Sequence, residues 1–172
     1  MSVNQRTLDD VVLAYIEAWS TPDEAVRREL LDASLTDDAS YTDPAYEVRG
    51  KEEIAIHIGR SLSGKAYGGA GAGARIPISS GVDQHHGLFR FSWVMVDPQD
   101  QLLLEGMDFV ELAGDGRLQR ITGFFGAFPP IPESWSEDLV WRSEYSCFRT
   151  LESPELLRYG FLSPLFTHLR GR

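Results

Sequence analysis

Residues 86–125 read HGLFRFSWVMVDPQDQLLLEGMDFVELAGDGRLQRITGFF. Three long strand-like runs, 86–97, 101–112 and 117–125, are separated by turns at Asp97-Pro98-Gln99-Asp100 and Ala113-Gly114-Asp115-Gly116. Asp-Gly between two alternating runs is a hairpin signal. A fourth run over 75–83, with a turn at 81–84, precedes them. The stretch predicts a meander of long antiparallel strands.

Upstream, the apolar spacing changes from two to helical. Leu8, Val11, Val12, Tyr15, Ile16 and Trp19 form one helical stripe, with Thr7 as N-cap and Asp10 three residues on. Thr21-Pro22-Asp23-Glu24 predicts a second helix, with Thr21 as cap and Pro22 at the first position, running to about residue 33. A short strand follows over 39–43, stopped by Pro44. Gly50 opens a third helix, with Ile54, His57, Ile58 and Ser61 or Leu62 on one face. Residues 63–74 (SGKAYGGAGAGA) hold five glycines and no bulky aliphatic, which reads as a linker or a mobile lid. Segregated helices and strands imply an α+β domain over 1–130, a curved sheet wrapped around three N-terminal helices.

Downstream, Pro129-Pro130-Ile131-Pro132 ends the sheet. The tail 131–172 is rich in aromatics, and Ser153-Pro154-Glu155 looks like a helix start. It is expected to be a docked helical extension. Cys147, the only cysteine of the 172 residues, excludes an intrachain disulfide and every multi-cysteine metal pattern. The net charge of −10 argues against a nucleic-acid or anionic-membrane partner. No segment has the length of a membrane span, and the N-terminus has no signal-peptide pattern. A cytosolic protein without metal or cofactor is the expectation. His85 and His86, adjacent on a strand, should point to opposite sides and not chelate together.

Period-two alternation sorts the strands into faces. Leu104, Gly106, Asp108 and Val110 share one face, so Asp108 sits among apolar residues beside a glycine that leaves room for a ligand. Such a carboxyl is desolvated and its pKa should rise. Phe91, Trp93 and Met95 are co-facial on the preceding strand and read as pocket wall or core. Trp19, Ile121 and Phe125 complete the expected apolar lining. Met107 and Phe109, on the opposite face, should point outward and form the sheet-to-sheet contact of a homodimer. Asp43, in Tyr41-Thr42-Asp43-Pro44 at the end of the short strand, reads by itself as a turn residue. Tyr15, on the helical stripe, reads by itself as a core tyrosine with a satisfied hydroxyl.

The arrangement resembles the nuclear transport factor 2-like superfamily over residues 7–127. The matching segments are Tyr15-Ile16-Glu17, Asp37-Asp38-Ala39 to Thr42-Asp43-Pro44, Gly50-Lys51-Glu52-Glu53-Ile54, Met107-Asp108-Phe109 and Asp115-Gly116-Arg117-Leu118. That resemblance implies a cone with a pocket at its open end. The enzymes it most resembles are ketosteroid isomerases and SnoaL-like polyketide cyclases. The resemblance implies Asp43 as general base, Tyr15 as hydrogen-bond donor to an oxyanion, and Asp108 as the protonated acid beside it. Such isomerases exemplify a carboxylic acid kept neutral by an apolar site. His57 and Ile58 depart from the isomerase pattern, and His57 becomes a candidate second acid or base. Arg90-Phe91-Ser92 departs from the Arg-x-Asp pair of the limonene-epoxide hydrolases. The body also looks like a group of bacterial proteins of unassigned function that share the run 86–93 and the ending 121–126.

Three activities fit these residues. One is a cofactor-independent isomerase or cyclase acting on a small apolar carbonyl compound. The second is a non-catalytic ligand-binding or assembly module. The third is a hydrolase or dehydratase in which Asp43 activates water.

Overall fold

A computed structural model describes residues 7–136 and 138. The predicted extension falls almost wholly outside the described residues, as does Cys147. The chain divides into two units, Met1–Phe128 and Pro129–Arg172, and every named element belongs to the first.

Helix α1 spans Leu8–Ala18 and opens on the reciprocal box read from the sequence. The Asp10 amide donates to Thr7 Oγ1 at 3.2 Å, and the Thr7 amide donates to Asp10 Oδ2 at 2.9 Å. Helix α2, Glu24–Ser34, starts later than the Thr21 cap predicts. Asp23 caps it, accepting from the Val26 amide at 3.0 Å. The Thr21 hydroxyl instead donates to the Glu17 carbonyl at the end of α1. Arg27 explains the shift. It is buried, and its guanidinium donates to the carbonyls of Thr21, Pro22 and Ala55. A buried cation needs hydrogen-bond acceptors, and these carbonyls fix the α1–α2 turn against the third helix.

Strand β1 is Leu35–Thr42, longer than predicted because it follows α2 directly. It pairs antiparallel with the short β2, Glu47–Arg49, which the sequence reading did not contain. Helix α3, Lys51–Leu62, follows Gly50, whose φ of 90° suits glycine. Lys51 bridges Asp32 and Asp37 at 2.6 and 2.7 Å, tying the starts of β1 and α3 together. Residues 63–74 are not a plain linker. They form successive hydrogen-bonded turns around a 3₁₀ turn, Tyr67–Gly69.

The predicted strand over 75–83 is reduced to two isolated bridges, Arg75 with Val96 and Ile78 with Trp93. Pro77 lies between them and has no amide proton for a ladder. Strand β3 is Asp83–His85, where a turn was expected. The turn comes two residues later, at His86-Gly87, both with positive φ (51° and 77°), the backbone that two-residue hairpins favour. Because His86 sits in the turn, its ring lies against that of His85 (Nδ1 to Nδ1 3.4 Å) rather than across a strand from it. Strands β4 (Leu88–Val96), β5 (Leu102–Leu112) and β6 (Leu118–Phe125) form the predicted meander.

The sheet order is β2-β1-β6-β5-β4-β3, with β1 parallel to β6 and all other pairs antiparallel. Register shifts interrupt the β1–β6, β4–β5 and β5–β6 ladders, and such irregularities bend strands. The result is an α+β fold in which an open, curved, mixed sheet carries the helices. Val12, Tyr15, Leu31, Ile54, Ile58, Phe91, Val110 and Ile121 are almost wholly buried between the layers. On the other side of the sheet Phe109 and Phe124 are exposed and meet edge to face at 6.1 Å. No helix among the described residues is long and apolar enough to cross a membrane.

Candidate active site

A cavity of about 260 Å³ opens in the domain. Its wall is mainly aromatic and aliphatic: Tyr15, Trp19, Tyr41, Tyr67, Trp93 and Phe125, with Met95, Ile76 and Leu104 among the rest. Among the described residues Asp108 is the one carboxylate on that wall.

Asp108 comes from the middle of β5, on the face the alternation assigned to it. It is buried and accepts one hydrogen bond, from Trp93 Nε1 at 2.9 Å. Burial pushes its pKa up to about 6, with the Trp93 N–H and the nearby Tyr15 hydroxyl opposing the rise. Tyr15 projects from α1 beside it. Its hydroxyl is completely buried and stands close to Asp108, without a hydrogen bond of normal geometry. Burial and the neighbouring carboxyl hold the Tyr15 hydroxyl well above its usual pKa, so it remains a donor.

Asp43 follows the last residue of β1 and has a different surrounding. Oδ2 accepts from the Tyr41 hydroxyl at 2.9 Å and from the Tyr67 hydroxyl at 2.5 Å. Oδ1 accepts from the amides of Ala45 and Tyr46 at 2.7 and 2.8 Å. Asp43 is therefore buried behind two phenols that themselves line the cavity. His57, from α3, places Nε2 2.8 Å from the Tyr67 hydroxyl. Its ring is packed among Trp19, Tyr41, Tyr46 and Tyr67. Burial lowers its pKa, and the charge of Asp43 partly offsets that.

Two glycines shape this arrangement. A Cβ on Gly106 would run into the Trp93 indole. The space beside Asp108 is thus filled by the side chain that donates to it, not left open for a ligand as the sequence suggested. A Cβ on Gly123, paired with Asp108 across β5–β6, would lie 3.1 Å from Asp108 Oδ1, 3.6 Å from the Tyr41 hydroxyl and 3.7 Å from Asp43 Cβ. Gly123 is where the two carboxyl groups converge.

Of the residues singled out by sequence, Tyr15, Trp19, Trp93, Met95, Asp108 and Phe125 line the cavity. Phe91, Gly106 and Ile121 do not; Phe91 stacks on Phe89 and Ile121 is buried in the core. Asp43 and His57 stand one layer back. Tyr41 and Tyr67 were missed. Tyr41 was within reach, because it lies two residues before Asp43 and shares its side of the strand. Tyr67 carried no local signal, since only the fold of the loop brings it to Asp43. Among the described residues no group of three His, Cys, Asp or Glu could hold a metal ion.

This architecture is shared with solved structures. A proposed isomerase of the SnoaL-like family from Agrobacterium tumefaciens str. C58 is 26% identical, with a TM-score of 0.61 over 68% of this chain and 95% of its own. A nuclear transport factor 2-like protein of unknown function from Cytophaga hutchinsonii is 12% identical, with a TM-score of 0.53 over 73% and 95%. A proposed SnoaL-like polyketide cyclase from Jannaschia sp. CCS1 is 13% identical, with a TM-score of 0.52 over 73% and 90%. No protein-family model matches the sequence, and no curated protein matches it. The chain has the nuclear transport factor 2-like fold, and SnoaL-like proteins are among its structural neighbours.

Proposed function

We propose that the protein is a cofactor-independent isomerase or cyclase that moves a proton on a small, largely apolar carbonyl compound. One observation carries this reading: Tyr15 and the buried acid Asp108 stand together on the cavity wall, and the Tyr15 hydroxyl makes no hydrogen bond of normal geometry. A buried donor left unpaired costs about 1–3 kcal/mol, and a carbonyl oxygen at that end of the cavity would satisfy it. Asp108 would supply the second donor in its protonated form. A ligand filling the cavity excludes more water and moves that carboxyl further towards the neutral form. Donors fixed before charge develops on an enolate oxygen are the main electrostatic source of such catalysis.

Asp43 is the base in this mechanism. It takes the proton from the carbon beside the carbonyl once the ligand displaces a phenol from Oδ2, and it returns the proton to another carbon. The test is deuterium uptake from D₂O by β,γ-unsaturated ketones and 1,3-dicarbonyl compounds, followed by NMR. The native protein should exchange the acidic positions and Asp43→Asn should not. Equal exchange in both would remove Asp43 from the mechanism.

A binding module is the second reading, and the capping of Asp43 favours it. All four hydrogen bonds of that carboxylate are internal, as in a structural anchor. Its signature would be unchanged ligand binding in Asp43→Asn with no exchange in either protein. For assembly, the exposed Phe109–Phe124 face is the surface we propose for a two-fold contact, checked by sedimentation at micromolar concentration.

A further inference from the structure

We propose that His57 and Asp43 work as one acid–base unit, joined through the hydroxyl of Tyr67. This deepens the isomerase reading, in which Asp43 is the base. Three side chains from three separate segments are joined in sequence: Nε2 of His57 lies 2.8 Å from Tyr67 Oη, and Tyr67 Oη lies 2.5 Å from Asp43 Oδ2. A phenol hydroxyl donates one hydrogen bond while accepting another. When Tyr67 donates to Asp43, its oxygen is left to accept from His57.

The backbone supports a built link rather than a chance contact. Tyr67 holds a φ of 49°, uncommon for a residue with a side chain. Glycines with positive φ stand on both sides of it, Gly64, Gly68 and Gly69. The Tyr67 amide donates to the Tyr46 hydroxyl at 3.4 Å, and the two rings meet edge to face at 4.8 Å. A strained backbone persists where its surroundings hold it, and such strain clusters at functional sites. Here the holding groups are Asp43, His57 and Tyr46.

The transfer conserves atoms and charge. Starting from imidazolium and carboxylate, the Nε2 proton passes to Tyr67 Oη as the Tyr67 proton passes to Asp43 Oδ2. One N–H and one O–H bond break, two O–H bonds form, and the products are neutral imidazole and carboxylic acid. Run backwards, the same shift frees Asp43 of a proton it has taken from a ligand. Asp43 can then serve as acid or base at one pH, with His57 holding the proton in between. The groups that bear on His57 are Tyr41 from β1, Asp43 and Tyr46 from the turn after it, Tyr67, and Arg60 on its own helix, whose charge opposes protonation. Those that bear on Asp43 are Tyr41, Tyr67, His57 and Asp108.

The experiment is an NMR titration of the His57 ring in the full chain, in four proteins: native, Asp43→Asn, Tyr67→Phe and the double variant. Asp43→Asn should lower the His57 titration midpoint in the native background. In the Tyr67→Phe background the same substitution should lower it much less, because the shared proton has lost its path. An equal downward shift in both backgrounds would mean a through-space charge effect alone and would overturn the proposal. Should Asp43→Asn fail to fold, the Asp43 carboxyl carbon is titrated instead in His57→Gln, with and without Tyr67→Phe, and the same comparison decides. Neither measurement needs turnover. Failure of the isomerase reading therefore shows in deuterium uptake, and failure of this proposal shows in the titrations.

Discussion

Asp43 and Asp108 carry the same carboxyl group on either side of Gly123, and the protein surrounds them in opposite ways. Asp43 receives four donors, two phenols and two amides. Asp108 receives one, from an indole, within an aromatic and aliphatic wall. Hydrogen bonds to a charged group contribute roughly 1.5–3 kcal/mol each, so the first site is built for an ion. The second favours the neutral acid. Two identical groups can divide base and acid roles only when their environments differ in this way.

The contrast can be broken by substitution, and the largest effect belongs to the ion. Asp43→Asn should cost about 10²–10⁴-fold in ketone deuterium exchange, the usual share of a general base. Tyr15→Phe should cost about 10²–10³-fold in the same assay, as loss of one oxyanion donor does. Asp108 is tested through stability. Between its ordinary pKa of 3.8 and its folded value of about 6, the folded chain retains a proton that the unfolded chain has released. Its contribution to stability is therefore greatest at low pH, falls as pH rises through this window, and levels off above it. The total decline is about 3 kcal/mol. Denaturant melts from pH 4 to 7 should show it as a difference between the native protein and Asp108→Asn. Gly106→Ala should destabilise by about 1–3 kcal/mol, with a fall in melting temperature, because the Trp93 indole must leave Asp108. The smallest effect sharpens the reading of Tyr15. Removing its unpaired hydroxyl should raise stability by about 1 kcal/mol while activity falls. A loss of stability would mean that the hydroxyl has a partner within the fold.

Much of the frame was legible because it rests on local periodicity. The Thr7–Asp10 box, the stripe from Leu8 to Trp19 and the alternation around Asp108 each report a face that must be buried whatever it packs against. The misreadings share one cause. Asp23, not Thr21, caps α2 because the buried Arg27 of the same helix folds back on the Thr21 and Pro22 carbonyls while reaching Ala55 of α3. Gly106 looked like space for a ligand, yet Trp93 of the neighbouring strand fills it. In both places a tertiary contact, of Arg27 with α3 and of Trp93 with the neighbouring strand, decides the local outcome.

By itself the sequence determined the three helices followed by the long β4–β6 meander, the desolvation of Asp108 and the position of Tyr15 on a buried stripe. These follow from spacing along single elements, where each residue's face is set by its neighbours. Only the tertiary structure decided that Asp43 is capped by Tyr41 and Tyr67, that His57 reaches it through a phenol, and that the cavity meets the phenols before the carboxylate. Those contacts join β1, α3 and a glycine-rich loop, up to 24 residues apart in the chain. Nothing in the local pattern of any one segment encodes such a meeting, because it depends on how the sheet bends and where the loop is held.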